Sequence, residues 1–357
     1  MTDEWKIPPR LITGPPNVTP GVSGGKVVEG DFPLDQVVID KLPPGTVVHA
    51  CNLLAQSEWT VAAKIDTTLA GEAKAYFLKC AEYDQGRAML ESEFLSMDDI
   101  HKVSENFVPK SYGWGQLSVS EPRTYFYIRD LLDLKHQDPD PMSLCKKLVT
   151  LHKSSESPTG MFGFPIKPVR GNLPLETSWN QNWSKFFEQL FRGSLALDEK
   201  INGPWKDLGH LVDLAMSHVV PQLLGPLEAE GRSIKPSLIH GDLWEGNIGT
   251  DPKTGEIYIF DASSYYAHHE MELGMWRPLP NLVIGREIYM KEYLSQMGVS
   301  EPAEHFEDRH RLYSACTSIH AAACHNRDSN REETYGKLMY LLDKYAPNIE
   351  ETAAEDA

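Results

Sequence analysis

The sequence predicts an α+β molecule in two lobes, and three observations predict it. Short β-rich runs crowd the chain from Val37 to Ile128, and long helical periodicities dominate after Leu131-Leu132-Asp133. A single polar segment, Ser237 to Asp261, interrupts those helices. The 357 residues suffice for about two domains at roughly 150 residues each. Hydrophobic residues at 41 % and charged residues at 24 % match ordinary globular usage, which excludes disordered, collagen-like and coiled-coil chains. Lys plus Arg number 34 against 51 Asp plus Glu, a net charge of −17. That surface repels phosphate backbones and anionic lipid, so neither nucleic acid nor a membrane is expected as a partner. An anionic ligand then needs a local cationic pocket.

Taken in order, residues 1–30 read as an extended arm, because half of the positions from Pro8 to Gly25 are Pro or Gly. Residues 31–131 form the β-rich lobe. Its strands are expected at Thr46–Cys51, Trp59–Thr67 and Ala73–Ala81, joined as a meander, and then near Tyr112–Val119 and Arg123–Ile128. Between these two groups lies a helix with Asp84 as its cap and a stripe at Gly86, Leu90, Glu93, Met97 and Ile100. Residues 132–348 form the helical lobe, with helices over about 141–153, 177–193, 204–225, 285–297, 302–325 and 331–345. Residues 349–357 are an acidic tail, read as solvated. Met1–Arg10 has no apolar core of a secretory signal. The best candidate for a membrane span, Leu208–Leu227, is broken by His210, Asp213, His218 and Pro221. Five scattered cysteines without a C-x-x-C pair fit reduced thiols in a cytoplasmic protein. The oligomeric state is not legible.

The interrupting segment carries the chemistry. It reads His240-Gly241-Asp242-Leu243-Trp244-Glu245-Gly246-Asn247 and, after an apolar strand, ends at Asp261. Asp242 and Asn247 have the D-x-x-x-x-N spacing of a kinase catalytic loop, in which the Asp accepts the acceptor hydroxyl's proton and the Asn binds metal. Asp261 stands where the second metal-binding carboxylate of such enzymes stands. Upstream, Lys79 lies inside Tyr76-Phe77-Leu78-Lys79-Cys80, and Glu93 lies in the apolar helical stripe. Each charge is costly alone in such surroundings, so one ion pair explains both and would present Lys79 to nucleotide phosphates. The plain alternatives are a polar turn with a capping Asp261, and an edge-strand Lys with a surface Glu.

Together with Phe260-Asp261-Ala262-Ser263-Ser264-Tyr265-Tyr266-Ala267-His268-His269-Glu270, the loop resembles the fructosamine-3-kinase and ribulosamine-3-kinase (ketosamine kinase) family, closest to its fungal members. Phe77-Leu78-Lys79, Met89 to Glu93, Leu151 to Phe164, Trp179 with Trp183, and Asp308-Arg309 extend the resemblance over about residues 45–346. It implies a protein-kinase-like bilobal fold, as in aminoglycoside phosphotransferases, with ATP and Mg²⁺ as cofactors. It also implies phosphorylation of the 3-hydroxyl of a ketoamine sugar on a protein lysine or small amine, a deglycation repair.

Residue by residue, the resemblance makes Asp242 the base and Asn247 and Asp261 the metal ligands. Lys79 with Glu93 orients phosphate, and Gln56 and Ser57 sit in the phosphate-covering loop. Trp244 borders the sugar or else anchors the loop from the core. His268 and Glu270 line the acceptor pocket or else cap the next helix. The phosphate loop departs from the family pattern, because Leu53–Trp59 holds no glycine and Glu58 adds negative charge. That departure keeps open a catalytically weak kinase-fold binding protein, or a kinase of a different small-molecule hydroxyl.

Overall fold

The computed structural model describes residues 14–118, 120–278, 281–325 and 327–347. The first 13 residues of the expected arm and the expected acidic tail at 349–357 lie outside the described residues. The chain divides into two compact units, one running to Lys135 and including Thr250–Asp261, the other comprising His136–Gly249 and the chain from Ala262.

The first unit is built on a five-stranded antiparallel sheet. Its strands are β1 (Val47–Gln56), β2 (Val61–Leu69), β3 (Glu72–Glu82), β4 (Ser111–Gln116) and β5 (Thr124–Asp130), in the spatial order β1-β2-β3-β5-β4. Period-two alternation puts Val61, Ala63, Ile65, Tyr76, Leu78, Cys80, Phe126 and Ile128 on one buried face. The end of the expected arm, at Val28, and the segment that follows it cover that face. Val28, Phe32, Leu34, Val38 and Leu42 pack into the same core, and Cys51 N donates to Glu29 O at 2.8 Å while Phe32 N donates to Cys51 O at 3.2 Å. The apolar residues among the prolines and glycines thus close the exposed edge of β1, which would otherwise present unpaired backbone groups.

Helix α1 (Tyr83–Val103) buries the expected stripe of Gly86, Leu90, Glu93, Met97 and Ile100 against the other face, where Phe94 meets Tyr127 edge-on. Gly86 is required there, since a Cβ would lie 2.6 Å from the Ala81 carbonyl carbon. Asp84 is not the cap. The helix starts at Tyr83 with no side-chain cap, and Asp84 falls in its first turn, where a carboxylate still favours the positive end of the helix dipole. The expected boundary near residue 131 omits Thr250–Asp261, which joins this unit through paired backbone bonds between Lys135 and Thr250 at 2.9 and 3.0 Å.

The second unit is mainly helical: α2 (Pro141–Ser154), α3 (Trp183–Asn202), α4 (Lys206–Leu214), α5 (Glu287–Met297), α6 (Phe306–His325) and α7 (Asp328–Tyr345). The α3 expectation at 177–193 is displaced. Asn180 exchanges two backbone bonds of 2.9 Å with Phe162, so the chain stays extended until Asn182 caps the helix by accepting from Lys185 N. Two short strands, β6 (Ser237–Ile239) and β7 (Tyr265–Ala267), pair antiparallel with Leu238 opposite Tyr266. The pair aims the segments that follow each strand, 240–247 and 268–276. Around it Trp183, Phe186, Phe187, Tyr265 and Tyr313 form a closed aromatic core. Among the described residues no helix is long and apolar enough to cross a membrane, and four of the five free cysteines are buried.

This unit also buries neutral histidines. Burial, reinforced by Arg277, lowers His310 to about 4, and burial holds His268, His269 and His320 well below the ordinary histidine value. A folded value below the unfolded one stabilises the protein above about pH 6.5, and that contribution is lost as pH falls towards the folded value. Urea unfolding is therefore expected to show stability dropping below pH 6.5, each histidine adding about 1.4 kcal/mol per pH unit. His310→Gln should flatten the slope by one such share, and an unchanged slope would contradict the assignment.

Candidate active site

In the first unit, register places Lys79 on β3 opposite Ala62 of β2 and Tyr127 of β5. Its side chain points to the α1 face, where Nζ donates to Glu93 Oε2 at 2.8 Å and to Asp261 Oδ1 at 3.0 Å. Lys79 and Glu93 are each 11 % exposed at the side chain, whereas Asp261 is 41 % exposed. Burial works to lower the Lys79 ammonium, but Asp261 and Glu93 outweigh it and raise its pKa. Burial raises Glu93 to about 7, partly offset by Lys79. Burial would also raise Asp261, yet the charges of Lys79 and Arg129 hold it at about 2. Two carboxylates thus share one ammonium, and the more open one keeps its charge. Asp261 has a φ of +59°, a left-handed conformation that Asp tolerates better than bulky residues and that concentrates at functional sites. Arg129, whose guanidinium lies 4.1 Å from the Phe77 ring and 5.7 Å from the Phe260 ring, is a contributor the sequence reading missed.

The Lys79–Glu93 geometry sets a quantitative expectation. Lys79→Met leaves Glu93 in an apolar setting, so Glu93→Gln should relieve part of its cost, with a coupling of about 1 kcal/mol or more. Strictly additive effects in a double-mutant cycle would mean that the pair contributes nothing.

The turn joining β1 to β2 is closed on itself. Gln56 pairs with Val61 in the sheet. Ser57 Oγ accepts from Trp59 N at 3.2 Å and from Thr60 N at 2.9 Å, and Ser57 N donates to Thr60 O at 2.8 Å. Gln56, Ser57 and Glu58 are exposed. Ser57 therefore uses two backbone N–H groups that a glycine-rich loop would offer to a phosphate.

In the second unit the residues of the Asp242–Asn247 loop are gathered by local bonds. Asn247 Nδ2 donates to Asp242 O at 2.9 Å and to Asp242 Oδ2 at 3.3 Å, and Asp242 N donates to His240 Nδ1 at 3.2 Å. His240 is fully buried and holds the loop through that backbone bond. The rest of the grip comes from residues the sequence reading passed over. Glu272, 1 % exposed, accepts from His240 N and Gly241 N at 2.5 and 3.1 Å. Ser263 N donates to His240 O at 2.9 Å, and Arg170 Nη1 donates to Gly241 O at 3.4 Å. Gly241 has a φ of +79°, and a Cβ there would lie 2.2 Å from Ser263 O, so only glycine fits. Trp244 is half-buried and folds back over Gly246, where a Cβ would come within 2.3 Å of the indole.

His268 and Glu270 lie in the core and expose no surface that could line an acceptor pocket. Both are 0 % exposed. Trp183 Nε1 donates to Tyr313 Oη at 2.9 Å, and the Tyr313 hydroxyl meets His268 Nδ1 at 2.9 Å. The other His268 nitrogen meets Ser300 Oγ at 2.8 Å. Glu270 takes Arg309 Nε on Oε2 at 2.8 Å, and Arg309 Nη2 and Ser300 N on Oε1 at 3.0 and 2.9 Å. Glu270 gives no side-chain cap bond to its helix, Glu270–Leu273. His268, His269 and Glu270 have ligand atoms within 4.8 Å of one another, but the bonds of His268 and Glu270 make them a core network.

Known proteins are similar to this chain in sequence and in fold. The fructosamine kinase family model matches residues 55–332. A protein-ribulosamine 3-kinase of Arabidopsis thaliana, chloroplastic, is 29 % identical over 57 % of this chain and 59 % of its own length. The chain thus spans less than two thirds of that relative. A crystal structure assigned as a fructosamine-3-kinase of Haemophilus somnus 129PT superposes with a TM-score of 0.66 at 18 % identity, covering 86 % of this chain and 96 % of that one. An aminoglycoside phosphotransferase in ternary complex with ADP and hygromycin B superposes at 0.52 and 13 % identity, over 88 % of this chain and 99 % of that one. The expected protein-kinase-like α+β fold is therefore the fold of this chain. The family match spans both the Lys79–Glu93–Asp261 and the Asp242–Asn247 constellations, and the chain belongs to the fructosamine kinase family.

Proposed function

We propose that the protein is an ATP-dependent kinase that phosphorylates the 3-hydroxyl of a ketoamine sugar, ribulosamine or fructosamine, carried on a protein lysine or a small amine. The observation that carries this reading is the buried Lys79, held between Glu93 and Asp261 at 2.8 and 3.0 Å, in a chain that also pairs Asp242 with Asn247. Asp242 accepts the hydroxyl proton as the sugar oxygen bonds to the γ-phosphorus and the β–γ bridging bond breaks, releasing ADP. Lys79 orients the nucleotide phosphates, and Glu93 keeps that ammonium in place. Trp244 offers a half-buried amphipathic wall to the sugar. The 3-phosphate is then a leaving group, so the product breaks down and the amine is restored.

The donor chemistry at two positions suits Mg²⁺. Asp261 is held anionic with one oxygen on Lys79. Asn247 donates through Nδ2, which directs its carbonyl oxygen away from Asp242. Asp261 and Asn247 would hold the ion, which when bound neutralises charge on the triphosphate. The ADP complex of an aminoglycoside phosphotransferase of the same fold supports a nucleotide cofactor. The buried free thiols support a reducing, cytoplasmic setting.

The self-closed turn at Ser57 favours a second reading, a kinase-fold binding protein of weak turnover. One assay separates the two: ADP release and ³¹P NMR of product with synthetic ribulosamines and fructosamines, beside ATP thermal shift with and without Mg²⁺. A ketoamine 3-phosphate is the expected product. ATP binding without turnover of any ketoamine would overturn the ketoamine reading.

A further inference from the structure

We propose that Glu245 fixes the segment Asn281–Arg286 beside the catalytic loop as the surface that selects the amine carrier of the acceptor, with Leu282 as its contact. This deepens the ketoamine kinase reading and rests on it. Glu245 lies three residues after Asp242, so their Cα atoms are at most about 11 Å apart. Its backbone N donates to Asn281 Oδ1 at 3.4 Å, and its carboxylate Oε2 accepts from Val283 N at 2.6 Å. Glu245 therefore grips the residues on both sides of Leu282.

The segment is rigidly specified from its other side as well. Asn281, 9 % exposed, donates through Nδ2 to Met275 O and Pro278 O at 2.6 and 3.1 Å. Ile284 is wholly buried. A Cβ on Gly285 would lie 2.4 Å from Asn281 O, so the chain turns back where only glycine fits. Val283 O accepts from Arg286 N and Arg286 Nε at 3.1 and 3.0 Å. Leu282, in the middle of these restraints, is 70 % exposed, the highest among the exposed large hydrophobic residues described. An exposed leucine on a loop is ordinary. One held in a fixed position by a carboxylate, an amide, a buried isoleucine and an obligatory glycine, next to the loop that carries the base, is a presented surface.

The chemistry that fits it is the carrier and not the sugar. The sugar's 3-hydroxyl must reach Asp242, and the amine leaves the ketose at its first carbon, so the carrier's alkyl chain extends past the catalytic loop. An uncharged apolar contact there favours a long alkyl amine, such as a lysine side chain, over a short one.

The experiment uses the full chain and the ketoamine adducts of hexylamine and methylamine. Glu245→Ala and Leu282→Ser are expected to raise KM for the hexylamine adduct by about fivefold or more. In Leu282→Ser, which lies outside the loop of Asp242 and Asn247, the turnover number, KM for ATP and KM for the methylamine adduct should stay within about twofold. Glu245→Gln keeps an oxygen acceptor for Val283 N and should restore the wild-type preference. Hydrogen exchange at the Val283 amide should accelerate in Glu245→Ala and not in Glu245→Gln. Equal changes for both adducts, or an unchanged preference in both variants, would overturn the proposal, as would unaltered Val283 protection in Glu245→Ala. A wild-type protein that turns over neither adduct defeats the kinase reading instead. In that event calorimetric binding of the two adducts makes the same comparison, and equal affinities would sink the selection surface.

Discussion

Asp242→Asn is expected to lower the turnover number by about 10²- to 10⁴-fold, the usual range for loss of a general base, with ATP affinity and stability staying close to wild type. Asparagine has the volume of aspartate but cannot accept a proton at the reacting oxygen. The loop should survive the change, because the shorter of the two bonds from Asn247 runs to the Asp242 main-chain oxygen, at 2.9 Å. Backbone N–H groups of His240 and Gly241 are held independently by Glu272. Steady-state kinetics with a ketoamine acceptor, beside urea midpoints and ATP-induced thermal shifts, make the check. A turnover number within about tenfold of wild type, a barrier change of roughly 1.4 kcal/mol, would remove Asp242 from the role of base. A large fall in ATP affinity would instead place it on the nucleotide.

Glu270→Ala should destabilise the protein by about 3–5 kcal/mol, the cost of leaving one member of a buried ion pair uncompensated. Arg309 and Glu270 are both 0 % exposed, and the substitution deprives Arg309 Nε and Nη2 of their carboxylate partner together with the acceptor of Ser300 N. Arg309 keeps its bonds to Pro302 O and Ser300 O at 2.8 and 2.7 Å, too little to neutralise its charge. Replacing both residues by methionine should recover much of the loss, since the Arg309 charge is then gone. The same variants test the acceptor-pocket expectation for Glu270. A core role predicts lost stability with a nearly unchanged KM in the molecules that remain folded. A raised acceptor KM with stability intact would return Glu270 to the pocket.

What was legible in the sequence was local or chemically anomalous. Asp242 and Asn247 lie five residues apart in one loop, and spacing alone brings them within a hydrogen bond. Lys79 and Glu93 were legible for another reason: a lone charge in an apolar pattern demands a partner, and each was the nearest such anomaly to the other. The strand–strand–strand–helix order followed from period two giving way to period 3.6. The proline- and glycine-rich arm misled the reading because composition excluded a helix there without excluding the apolar residues Val18 and Val28 from packing on a core.

By itself, then, the sequence determined the α+β two-lobed architecture, the Asp242–Asn247 pair and the Lys79–Glu93 pair. The tertiary structure decided the rest. Asp261 joins Lys79 from 182 positions away, Glu272 and Arg170 reach the catalytic loop from other segments, and the Ser57 hydroxyl closes a turn that composition left open. The most telling case is His268 with Glu270, whose polar side chains require partners but do not say which. A substrate, solvent and a buried arginine all satisfy a carboxylate, and only the packing of α6 against the segment after β7 made Arg309 the partner.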